Sequence, residues 1–173
     1  MSRSGFVTMS AVAMLTAVAV LTTASPAAAQ VPVGDFYFFD RSDVGTRRAS
    51  ITTLAEESHV TGAGGLTWSC EDGERRLIVS STYLGRSMRA SVRWAFDGEE
   101  PGDSESWILR RTGMAVIAPA EVETQFTRRA LGSKEVVLDL SDYEYRRHTY
   151  TFTLAGLAEA LAMLQCGVGA GPS

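Results

Sequence analysis

The residues able to do chemistry in this chain are few and far apart. It has two histidines and two cysteines in 173 residues, His59, His148, Cys70 and Cys166. His148 sits in an alternating stretch with Tyr150 and Phe152. To act as a general base it would need a nucleophile and an orienting partner within hydrogen-bond reach. The chain contains no Gly-x-Ser-x-Gly elbow, Ser-x-x-Lys or His-Glu-x-x-His, the arrangements that build such a site. His148 therefore reads as a rim or partly buried histidine that bonds locally. His59 stands beside Glu56 and Glu57, but a metal centre needs ligands at fixed spacing, and none is seen there.

Carboxylates cluster at Asp97, Glu99, Glu100, Asp103 and Glu105. A calcium loop needs ordered oxygen ligands around a sharp turn, and Pro101-Gly102 interrupts that order. A carboxylate pair for glycoside hydrolysis is not singled out either. The expectation is a domain with no catalytic residues, no cofactor and no metal. The surface feature with the most chemistry is Asp142-Tyr143-Glu144-Tyr145-Arg146-Arg147. Tyrosine and arginine are enriched where interfaces carry their energy, so Tyr143, Tyr145, Arg146 and Arg147 form a candidate contact patch. Arg89, Arg93 and the Arg110-Arg111 pair would add positive potential.

The charges bound the partner class. Sixteen Lys and Arg against twenty Asp and Glu give a net charge of −4. They are interspersed, which argues against nucleic acid and against simple adhesion to anionic lipid. The chain has a single lysine, Lys134, and no asparagine, so it has no N-glycosylation acceptor.

Residues 1–29 indicate the compartment. Arg3 precedes an apolar run from Ala11 to Leu21, and Pro26 leads into Ala27-Ala28-Ala29. A charged start, an apolar middle and a small-residue site are the marks of a secretory signal peptide, here cleaved after Ala29. Thr16, Thr22, Thr23 and Ser25 interrupt the run, which suits a leader better than a membrane anchor. The remaining chain is about 145 residues, a normal single-domain size. In an oxidising compartment two cysteines pair by default. A Cys70–Cys166 disulfide is therefore expected, closing a loop of about 100 residues at a gain of roughly 4–5 kcal/mol.

The elements that must carry these residues are mostly strands. Met88, Ala90, Val92, Trp94 and Phe96 alternate with Arg89, Ser91 and Arg93, and His148 to Leu154 alternates likewise, the period of a half-buried strand. Shorter strands are expected at 36–39, 49–54, 66–70, 77–81, 106–110, 114–117 and 136–140. Asp72-Gly73 and Asp97-Gly98 supply turn chemistry between them. Two helices break the pattern. One is expected at 120–131, with Val122, Phe126 and Ala130 on one stripe and Gly132 after it. The other, at 155–165, carries Leu157, Leu161 and Leu164. The fold implied is a single, mainly antiparallel β domain over 36–166. It would be a sandwich or a partly open barrel with two short amphipathic helices. Residues 30–35 read as a flexible start and 167–173 as a flexible tail.

The order of these features resembles the VasI/TagO-like proteins associated with type VI secretion. The motifs are Phe38-Phe39-Asp40 to Asp43, Leu66-Thr67-Trp68-Ser69-Cys70, and Val92 to Gly98 followed by Trp107. The closing run is Phe152, Leu154, Gly156, Leu157, Ala160, Leu161 and Cys166. The resemblance covers most of the chain after the leader. It implies a small periplasmic domain without established chemistry, and it too points to a Cys70–Cys166 bond. The expected function is a non-catalytic, exported binding or accessory domain with an envelope protein partner, linked to a secretion system. The alternatives are a carrier of a small ligand or lipid in a barrel interior, and an envelope hydrolase with an unrecognised carboxylate pair.

Overall fold

The computed structural model describes residues 30–41, 48–58, 63–71 and 73–166. The leader 1–29, the tail 167–173, Asp43, His59 and Asp72 lie outside the described residues. In chain order the strands are β1 (Gln30–Val33), β2 (Phe36–Asp40), β3 (Arg48–Leu54), β4 (Glu57–Ser58), β5 (Gly65–Glu71), β6 (Glu74–Ser80), β7 (Arg89–Phe96), β8 (Glu105–Leu109) and β9 (Ala115–Ile117). Helix α1 (Ala120–Ala130), β10 (Glu135–Ser141), β11 (Arg147–Thr153) and α2 (Leu157–Leu164) complete the domain.

All the strands join in one antiparallel sheet that does not close, ordered β1-β2-β3-β5-β6-β9-β8-β7-β10-β11-β4. Between the sandwich and the partly open barrel, the chain thus adopts the single curled sheet. Only Ala55 and Glu56 separate β3 from β4, yet β4 pairs with β11 at the far end of the order. The sheet therefore bends back toward its own third strand. Register follows the apolar pattern, because a slip of one residue would turn every buried side chain outward. Leu138 lies opposite both Trp94 and Tyr150, and Val136 opposite both Phe96 and Phe152.

Helix α1 packs on the sheet through Glu123, Phe126, Thr127 and Ala130, with Phe126 at the centre of the aromatic core. The Phe126 ring packs at 5.1 Å from Phe96, 5.4 Å from Trp94, 6.0 Å from Trp68 and 6.5 Å from Trp107. Edge-on and tilted packing of this kind adds to the area buried by each ring. A polar chain runs beside it. Trp68 Nε1 donates to Thr127 Oγ1 at 2.8 Å, Thr127 donates to Glu123 at 2.9 Å, and Arg75 Nε donates to Glu123 at 2.5 Å. Glu123 is thus buried with its charge matched, the condition for placing a carboxylate inside.

Helix α2 is anchored where two glycines cross. A Cβ on Gly34 would lie 2.3 Å from the Ala155 carbonyl oxygen, and one on Gly156 would lie 2.8 Å from the Gly34 Cα. Both have positive φ, so glycine is required by space and by conformation. The contact seats the β1–β2 turn on the entry to α2, where Asp35 N–H donates to Ala155 O at 3.0 Å.

Three expectations are corrected. Residues 30–33 are not a loose start: they form β1, paired with β2 from Gln30↔Phe39 to Val33↔Phe36. Met88 does not continue the buried face of β7, since it precedes the strand and is 86% exposed. Cys70 and Cys166 are free thiols rather than a disulfide. They do approach each other at the edge of the core. Burial first, and then the contact with Cys70, pushes the Cys166 thiol up to about 12. The two side chains join β5 to the residues just past α2 at the edge of the apolar core.

Candidate functional site

The turn between β10 and β11 is built around one buried carboxylate. Asp142 Oδ1 accepts the N–H of Glu144 at 2.8 Å and of Arg146 at 2.9 Å. Its Oδ2 accepts from Arg146 Nε at 2.9 Å and meets His148 Nε2 at 3.0 Å. Short polar side chains favour turns by bonding backbone amides a few residues on, and Asp142 does so twice. Burial disfavours its charge. The bonds from His148, Arg146 and Glu144 outweigh that and hold the carboxyl well below the usual carboxylate range.

This frame pushes the tyrosines outward. Tyr145 takes a left-handed backbone conformation at φ 61° and is 92% exposed. Tyr143 is 58% exposed, and its ring meets Tyr83 edge-on at 6.1 Å. A hydrogen bond to Glu144 and the charge of that residue raise the Tyr143 hydroxyl pKa. The arginines of the same turn are already matched: Arg146 pairs with Asp142 and with Glu144 at 3.0 Å, and Arg147 lies 3.7 Å from Asp139. Arg93 pairs with Asp139 as well, at 3.1 Å. Of the four residues expected as a contact patch, Tyr143, Tyr145 and Arg146 share the turn and Arg147 opens β11 beside it; two supply tyrosine surface and two supply balanced charge.

His148 finds partners on both sides. Its Nδ1 lies 3.3 Å from Thr82 Oγ1, opposite the Asp142 contact. The neighbouring Tyr150 hydroxyl bonds Ser81 Oγ at 2.8 Å. Hydroxyl, imidazole and carboxylate therefore stand in line. The carboxylate, however, spends its other bonds on the turn, and the network ties the 81–88 loop to β11.

The 81–88 loop brings in residues that sequence reasoning passed over. Leu84 N–H donates to Gly113 O at 2.7 Å, and Tyr143 N–H donates to Leu84 O at 2.9 Å. The loop and the β8–β9 turn close on each other at two glycines. A Cβ on Gly113, which has φ +69°, would sit 2.2 Å from the Gly85 carbonyl oxygen. Beside this crossing runs a groove of about 750 Å3 lined by Tyr83, Arg86, Met88, Ile108, Arg110 and Arg111, among others. Arg110 and Arg111 were foreseen as positive potential. Tyr83, Arg86 and the outward Met88 were not, because a Gly-punctuated loop carries no periodicity to read.

The acidic residues at the β7–β8 turn are largely occupied with structure. Asp97 Oδ1 accepts the N–H of Lys134 at 2.8 Å and of Glu135 at 3.1 Å, which lowers its pKa. Glu99 pairs with Arg129, and Glu105 accepts from Trp107 Nε1 at 3.0 Å. Among the described residues no group of three His, Cys, Asp or Glu could hold a metal ion.

The fold has a relative among solved structures. Invasion associated protein B from Bartonella henselae superimposes with a TM-score of 0.54 at 11% identity, over 79% of this chain and 94% of that one. At that identity the likeness shows the shared fold alone. No protein-family model matches the chain, and no curated protein matches it in sequence. The VasI/TagO resemblance thus rests on the motifs alone.

Proposed function

We propose that this domain is an exported, non-catalytic binding module that works as an accessory of an envelope assembly, a secretion system among the candidates. The observation that carries the reading is the β10–β11 turn. A buried, fourfold-bonded Asp142 holds two exposed tyrosines in one fixed arrangement. Tyrosines held rigid before contact lose little entropy on binding. The filled interior favours a surface role over a carrier role: Trp68, Trp107, Tyr150, Phe36, Phe96 and Phe126 are all fully buried.

Affinity capture of the tagged domain from a native envelope extract tests the reading, run at low and high salt. A specific module retains one partner at high salt and loses it in the Tyr143→Ala/Tyr145→Ala variant. Capture that is unchanged in that variant, or absent for the parent protein, would overturn it.

A further inference from the structure

Three arginines face the groove between the 81–88 loop and the β8–β9 turn, and no carboxylate is among the residues that line it. Arg86, Arg110 and Arg111 are exposed and, among the described residues, make no ion pair. Arg75, Arg76, Arg93, Arg129, Arg146 and Arg147 each face a carboxylate. Arg41, Arg48, Arg89, Arg128 and Lys134 are also outside any ion pair among the described residues, but they do not line this groove. In a chain with an excess of acidic residues, three neighbouring cations left unmatched mark a local reversal of charge. The groove also holds apolar surface open to solvent: Met88 is 86% exposed, Ile108 47% and Tyr83 45%. Its walls are fixed by the Gly85–Gly113 crossing and by Tyr143 against Tyr83.

We infer that this groove docks an acidic segment of a partner protein, whose carboxylates meet Arg86, Arg110 and Arg111 while an apolar side chain lies over Met88 and Ile108. The inference rests on the binding-module reading and gives the partner its chemistry. Guanidinium groups match carboxylates in a two-pronged geometry, and a thioether adapts to varied apolar shapes. An anionic bilayer is disfavoured, because its broad negative plane would face the net charge of −4 on the whole chain. A segment with discrete carboxylates meets mainly the local field, since charges beyond about 8 Å are screened at physiological salt.

The test uses a short labelled peptide alternating glutamate and leucine, with a glutamine–leucine peptide as control. Phosphatidylglycerol vesicles and phosphatidylcholine vesicles are assayed in parallel. The glutamate peptide is expected to bind with a Kd that rises with salt. Arg110→Gln/Arg111→Gln should weaken it about tenfold while the circular dichroism spectrum and melting temperature are retained. Equal binding by the glutamine peptide, an unchanged Kd in the variant, or arginine-dependent binding to phosphatidylglycerol vesicles alone would each overturn the inference. Envelope capture separates the two claims. If Arg110→Gln/Arg111→Gln leaves capture intact while Tyr143→Ala/Tyr145→Ala abolishes it, the groove falls and the module stands.

Discussion

The β10–β11 turn and the neighbouring groove are made of the same residue types, yet they resolve charge in opposite ways. In the turn, Arg146 and Arg147 answer Asp142, Glu144 and Asp139, so the cations are spent on holding the backbone. In the groove, Arg86, Arg110 and Arg111 answer nothing among the described residues, and the backbone is held instead by glycine contacts and amide bonds. An arginine that stabilises its own fold has little left for a partner, while an unmatched one keeps its full donor set. On the binding-module reading proposed above, the two regions would contribute differently: tyrosine surface from the turn, unpaired charge from the groove.

The largest way to break the comparison is Asp142→Ala. It strips two backbone amides, one guanidinium and His148 of their shared acceptor in a buried position. Losing one partner of a buried charged network costs roughly 3–5 kcal/mol. Urea denaturation should show a loss of that order, with the turn losing its amide-exchange protection. A loss under about 1 kcal/mol would mean that the carboxylate does not hold the turn.

Gly113→Ala attacks the other region. The added methyl would meet the Gly85 carbonyl oxygen at 2.2 Å, and φ +69° is a conformation L residues resist. A cost of about 1–3 kcal/mol is expected from the backbone conformation alone. The groove should open and the Arg110/Arg111-dependent peptide binding should fall, while the Asp142 turn keeps its protection. If both regions loosen together, the face is one cooperative unit rather than two.

How much of this was legible beforehand differs between the two regions. Each of the nine strands expected between 36 and 154 forms, as do both helices, because alternation and the Val122–Phe126–Ala130 stripe report directly on which side is buried. Strand β1 was missed because Val31, Pro32 and Val33 lie at an edge, where pairing rather than burial decides. The tyrosine turn could be seen in sequence, since its residues are adjacent. The groove could not: it joins residues 83–88 to 108–112 through two glycines, and nothing in a linear pattern says which arginines will find carboxylates. The cysteines show the same limit. Their count predicted a bond, whereas the structure places them as a thiol pair.

Acid titration sharpens the comparison at a smaller scale. The Asp142 carboxyl binds protons less readily in the folded chain than in the unfolded one. The unfolded state therefore takes up more protons as pH drops, and stability falls with it. The contribution of Asp142 is complete above the ordinary aspartate range, near pH 4, and is lost as pH falls below that toward the depressed folded value. Melting curves from pH 6 to pH 2 should show a steeper decline for the parent than for Asp142→Asn. Parallel curves would remove the carboxylate from the account of the turn.

The smallest expected effect is the one that separates the two classes of arginine. Arg146→Gln removes a donor that bridges Asp142 and Glu144, so its melting temperature should fall. Arg110→Gln/Arg111→Gln removes two adjacent cations that pair with no carboxylate among the described residues, and relief of their mutual repulsion should leave stability unchanged or slightly raised. Residues kept for recognition commonly bring no stability of their own. If the groove variant instead melts lower than Arg146→Gln, its arginines are structural and the division of charge between turn and groove is lost. If the order holds at low salt and narrows at high salt, the difference is electrostatic, as the pairing pattern requires.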